Sequence, residues 1–143
     1  RELGEELIAA GLPFIDAPVS GGVKRAKDGT LAIMVGGDGA TITRVEPVLA
    51  AMGRQIFRTG PLGSGHAVKA LNNYVSAAGL AASVEALAAG ARFGVDPGTI
   101  VDILNASSGK NNTTELKLKQ FGSAFTIRNE AKNINRQFAA KKR

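Results

Sequence analysis

The chain has 143 residues, 44% hydrophobic and 21% charged, with no Cys, no Trp and a single His, His66. That composition is globular, and the length suits one ordinary domain or pieces of two larger ones. It excludes a disulfide framework, a thiolate metal site, a Cys nucleophile and a His-rich metal cluster, so no metal site is expected.

Glu5 to Ala10 reads as the end of a helix closed by Gly11, and Leu12–Ala17 as a short strand. Pro18–Gly22 is a loop, Val23–Lys27 allows one helical turn, and Asp28-Gly29 is a turn signal. The β-branched run Thr30–Val35 predicts a strand. Gly36-Gly37-Asp38-Gly39 follows, with Asp38 placed to cap a helix from Ala40 to Met52 that Gly53 ends. Arg54–Thr59 predicts a third strand. Residues 1–60 therefore alternate helix and strand, the mark of α/β construction.

The pattern changes after Gly65. From Ala67 to Phe93, 18 of 27 residues are apolar and only Lys69, Glu85 and Arg92 are charged. This predicts one long helix, apolar nearly all round and hence buried on most sides. Asp96 and Pro97 start a further helix that stops near Ser107-Ser108-Gly109. Asn111–Glu115 reads as a loop and cap, and Ile127, Ala131, Ile134 and Phe138 space an amphipathic helix.

The net charge of +6 is concentrated at one end: residues 110–143 carry nine basic and two acidic side chains. Basic blocks bind phosphates weakly and without sequence preference, or simply solvate a helix. No specific nucleic-acid contact is expected. No uninterrupted apolar run reaches the ~20 residues of a membrane span, and Arg1–Glu6 does not read as a secretory signal. A cytoplasmic location is the default expectation, with no membrane partner.

Three clusters bear on chemistry. Ser20-Gly21-Gly22 follows a strand, and successive N–H groups with a hydroxyl can receive a carboxylate or phosphate. A plain turn satisfies the same residues, since Gly and Ser favour turns for steric reasons. Gly60-Pro61-Leu62-Gly63-Ser64-Gly65 leads into a helix on which Lys69 and Asn73 share a face at i, i+4. The helix field disfavours a cation near its start, so Lys69 either serves proton transfer or extends its charge to solvent. Gly36-Gly37-Asp38-Gly39 reads as a strand-to-helix turn and no more. His66 reads as a helix-start polar residue rather than a catalyst. No Gly-x-Gly-x-x-Gly occurs in the chain.

Asp16-Ala17-Pro18-Val19-Ser20-Gly21-Gly22 resembles the substrate-binding signature of the β-hydroxyacid dehydrogenases, the family of 3-hydroxyisobutyrate dehydrogenase and tartronate semialdehyde reductase. The spacing Gly60-x-x-Gly63-x-Gly65-x-x-x-Lys69-x-x-x-Asn73 resembles that family's catalytic signature. The resemblance implies the C-terminal part of a Rossmann-type nucleotide-binding domain over residues 1–63. A long helix and a partial helical substrate and dimerisation domain would follow over 64–143. It implies NAD or NADP as cofactor, a small hydroxyacid as substrate, and a homo-oligomer. Ser20, Gly21 and Gly22 would hold the substrate carboxylate, Lys69 would be the general acid–base and Asn73 would position the substrate. Phe125 and Lys132 would contact the cofactor, although Asn133 stands where the family has Asp. The family's first Rossmann half, with its phosphate-binding glycines, has no counterpart here. The competing expectation is a non-catalytic remnant that dimerises or binds phosphate.

Overall fold

The computed structural model describes residues 1–118. The elements are α1 (Glu2–Ala9), β1 (Ile15–Asp16), β2 (Val19–Ser20), α2 (Gly22–Lys27), β3 (Ala32–Gly37), α3 (Gly39–Met52), β4 (Gln55–Gly60), α4 (Ser64–Arg92) and α5 (Pro97–Ala106). A π-helical turn follows over Thr113–Lys117. Phe125, Lys132 and the amphipathic helix expected over Ile127–Phe138 lie outside the described residues.

The apolar residues of β3 can bury both faces, and they form the central strand. β4 pairs with β3 in parallel, as a strand–helix–strand crossover through α3 requires. On its other edge β3 is antiparallel to β1 and β2. Ile15 faces Gly37, Asp16 faces Gly36, Val19 faces Ile33 and Ser20 faces Ala32. These pairs share one register, and between them the Pro18 carbonyl accepts from Met34 N–H at 3.0 Å. β1 and β2 are therefore one edge strand interrupted at Ala17-Pro18, where proline offers no N–H. The sequence pattern places a strand at Leu12–Ala17 and a loop at Pro18–Gly22. In the structure pairing begins only at Ile15 and resumes beyond the proline, because carbonyls alone keep the register there.

Ile33 and Val35 are fully buried. Ile42 and Leu49, on the inner face of α3, complete the core, with Ile15, Ala17, Leu31, Val45 and Ile56 packed around it. Asp38 caps α3 as its position predicts: the carboxylate accepts from Thr41 N–H at 2.9 Å and Thr41 Oγ1 at 3.1 Å. Where Val35 faces Arg58 and Gly36 faces Gly60, Thr59 is an extra residue on β4. Its hydroxyl donates to the Val35 carbonyl at 3.0 Å.

The chain divides into two compact units, Arg1–Asn73 and the part from Tyr74 onward. In the second, Asp96 caps α5 by accepting from Thr99 N–H at 3.0 Å. Asn111 Oδ1 accepts from Thr113 and Thr114 N–H at 2.9 and 3.2 Å. The cap expected at Asn111 is present, but it starts a π-helical turn rather than a loop.

The long helix forms, yet it is not buried on most sides. Leu71, Tyr74 and Val75 are 63, 72 and 68% exposed, while Gly65, Ser83 and Leu87 are buried. All-round apolarity states a demand for neighbours, and the described residues meet that demand at only a few places. By length and apolar content α4 also meets the measure for crossing a membrane, contrary to the reading from uninterrupted runs. Its polar residues are too sparse to lower the average. A core helix of a soluble domain meets the same measure.

Candidate functional site

β1 ends on Asp16, which lies beside the start of α4. The chain reaches that helix through Gly60 and Gly63, whose φ angles of 124° and 90° suit glycine alone. Asp16 Oδ1 accepts from Gly63 N–H at 2.7 Å, and Oδ2 accepts from His66 N–H at 2.7 Å. Oδ2 also lies 3.0 Å from His66 Nδ1. The Asp16 side chain is 5% exposed and the His66 ring 70%. Ser64 Oγ is engaged elsewhere, 2.8 Å from Thr59 Oγ1. Gly65 packs so tightly that a Cβ would stand 2.5 Å from the Met34 carbonyl and 2.7 Å from Asp16 Oδ2. A cavity of about 610 Å³ opens beside this junction, lined by Arg1, Leu3, Gly4, Phe14, Asp16, Pro61, Leu62, Gly63, Ser64, His66 and Ala67.

Burial pushes the Asp16 carboxyl up. The N–H groups of Gly63 and His66, with the hydrogen bond and charge of the His66 ring, outweigh that effect and hold it below the ordinary carboxylate value. The stability this carboxylate contributes is therefore fully present above its unfolded value of about 3.9. It is lost as pH falls through the lowered folded value. Asp16→Asn should flatten the acid limb of the stability curve below about pH 4. Denaturant melts at stepped pH check this, and a variant with the parental acid limb would remove the assignment.

Lys69 lies in the second turn of α4, half-buried, and Asn73 is exposed one turn further on. No hydrogen bond or ion pair engages the Lys69 ammonium among the described residues. Ser20 is half-buried at the end of β2. Gly21 and Gly22 follow at φ 139° and 63°, and α2 starts on Gly21 without a side-chain cap. The Asp16 contacts join the Asp16–Gly22 and Gly60–Asn73 segments in one unit. The sequence gives Asp16 no role of its own beyond opening the Asp16–Gly22 signature. Its available signal was an acid closing an otherwise apolar strand four residues before Ser20.

A dinucleotide needs both a place for its reactive ring and a phosphate site. The cavity beside the start of α4 has room for the ring. The phosphates fit less well: the starts of α3 and α4, each following a strand, are occupied by the Asp38 and Asp16 carboxylates. A helix start already filled by a carboxylate repels a second anion. Among the described residues there is no cluster of three or more His, Cys, Asp or Glu that could hold a metal ion.

The family model for the NAD-binding domain of 6-phosphogluconate dehydrogenase matches residues 1–60. That for the NAD-binding domain of NADP-dependent 3-hydroxyisobutyrate dehydrogenase matches residues 63–140. A 3-hydroxyisobutyrate dehydrogenase of Pseudomonas aeruginosa is 43% identical over 78% of this chain and 37% of its own length. A 2-(hydroxymethyl)glutarate dehydrogenase of Eubacterium barkeri is 41% identical over the same shares. The structure of the Mycobacterium tuberculosis 3-hydroxyisobutyrate dehydrogenase with L-serine superposes with a TM-score of 0.74 at 38% identity. That match covers 80% of this chain and 39% of the other. The chain thus spans little more than a third of the length of the relatives it matches. Strands followed by a long helix are the C-terminal Rossmann part and the adjoining helical region, and this chain belongs to the 3-hydroxyisobutyrate dehydrogenase family of β-hydroxyacid dehydrogenases.

Proposed function

We propose that this chain carries the substrate-anchoring and proton-transfer residues of an NAD- or NADP-dependent β-hydroxyacid dehydrogenase. The observation that supports it is the Asp16 carboxylate bonded to Gly63 and His66. It ties the substrate-type signature to the helix that carries Lys69. In oxidation, Ser20 Oγ and the N–H groups of Gly21 and Gly22 receive the substrate carboxylate. The Lys69 amine takes the hydroxyl proton as the carbonyl forms, and returns it in reduction. Asn73 both donates and accepts, which orients the hydroxyl toward that amine. The bound nicotinamide supplies the hydride acceptor. Phe125 and Lys132 belong to the cofactor side of this reading.

In this reading residues 1–63 belong to the nucleotide-binding domain and 64–143 to the helical domain, in a cytoplasmic homo-oligomer without specific nucleic-acid or membrane partners. The test is turnover of 3-hydroxyisobutyrate and L-serine, with either nucleotide, by this chain joined to a Gly-x-Gly-x-x-Gly half. The joined protein should be active and the chain alone should bind NADPH poorly. A folded joined protein inactive on every small β-hydroxyacid would overturn the reading. The capped starts of α3 and α4 favour the second reading, a non-catalytic module, for the chain by itself.

The chain by itself should associate. Exposed Leu71, Tyr74 and Val75 on α4 and edge strands paired on one side invite pairing. Sedimentation at rising concentration should show dimers or larger species, and a monomer throughout would contradict this.

A further inference from the structure

We propose that Asp16 is a positioning residue that sets the distance between the carboxylate anchor at Ser20–Gly22 and the amine of Lys69; the inference rests on the reading above. Helices in this chain are capped in two ways. α3 and α5 are capped from within, by Asp38 and Asp96, each three residues before the N–H it receives. α4 is capped differently. Gly63 has no side chain, and the Ser64 hydroxyl is bonded to Thr59. The capping carboxylate comes instead from Asp16, 47 and 50 residues away along the chain.

A local cap stabilises a helix wherever that helix lies. A cap from a distant strand also fixes where the helix lies. The strand in question carries the anchor: Asp16 and Ser20 occupy one register against β3, so their separation is set at about 13 Å by strand geometry. On the other side, His66 and Lys69 are three residues apart, about 4.5 Å along the axis and on one face, with Asn73 completing that face. One carboxylate thus joins two rigid rulers. Its bonds to Gly63 and His66 leave it little freedom to shift. The Gly65 contacts with Met34 and Asp16 close the remaining space. A shift of the α4 start would move Lys69 relative to Ser20 without altering either residue.

The experiment pairs two readouts on Asp16→Asn and His66→Ala. In the 143-residue chain, amide exchange at Gly63–Ala67 should speed up by about tenfold or more in Asp16→Asn. Protection in β3 and α3 should fall far less than at Gly63–Ala67. In the joined, active protein, Asp16→Asn should lower kcat by about 10²-fold, the loss typical of a misplaced reacting group, with KM for the hydroxyacid changed far less. His66→Ala removes only the ring contact and should give a smaller loss of the same kind. It also serves if Asp16→Asn fails to fold. Uniform loss of protection across β3 and α3, or parental kcat in a folded variant, would reduce Asp16 to a stabilising residue and overturn the proposal. If Lys69→Ala is inactive while both variants keep full turnover, only the proposal fails. Full turnover in Lys69→Ala overturns the underlying reading as well.

Discussion

Lys69→Ala should remove most of the turnover of the joined protein, about 10²–10⁴-fold in kcat, the range for loss of a positioned proton-transfer group. Cofactor binding should be nearly unchanged. Truncation breaks no ion pair or hydrogen bond among the described residues, so a large loss would not arise from a severed structural contact. Lys69→Arg should rescue little, because a guanidinium stays protonated and cannot take the hydroxyl proton. Asn73→Ala should cost less, with more of its effect in KM, since it orients the substrate and carries no proton. A lysine that merely extends its charge to solvent predicts the opposite, with Arg and Ala both tolerated. Rates measured from about pH 6 to 10 cover a displaced optimum. A near-parental kcat for Lys69→Ala throughout that range would end the assignment.

Gly65→Ala should destabilise the first unit by about 1–3 kcal/mol, the usual range for overpacking. The added methyl would meet the Met34 carbonyl at 2.5 Å, Asp16 Oδ2 at 2.7 Å and Pro18 Cδ at 3.1 Å. The first is backbone of the central strand and has no way to withdraw. The steric cost must also exceed the ~1 kcal/mol by which Ala is favoured over Gly inside a helix. Gly79→Ala is the control within the same helix: its Cβ would meet only Asn111, at 3.6 and 3.7 Å. There the helix preference prevails, and a gain of about 0.5–1 kcal/mol is expected. Thermal melts should move in opposite directions for the two variants. A Gly65→Ala protein as stable as its parent would show that α4 does not lie against β3 as described.

Much of this molecule was legible without coordinates. Asp38 and Asp96 were readable as caps because a cap is local: acid and receiving N–H lie three residues apart. The span of α3 and the apolar run of β3 were readable for the same reason, since both are written in consecutive residues. The two segments around Ser20 and Lys69 were also recognisable, being short and internally spaced. What the sequence could not carry was anything that depends on which distant residues meet. That β1 and β2 are one edge strand with a proline gap is decided by the register against β3. That Asp16 caps α4 is decided across 47 and 50 residues, and no spacing rule links them. The exposure of α4 illustrates the same division. Its apolarity is written residue by residue, but whether a side chain is buried depends on what packs against it. Local chemistry thus determined the elements and the candidate residues, and the tertiary structure decided how the Ser20 strand and the Lys69 helix are held together.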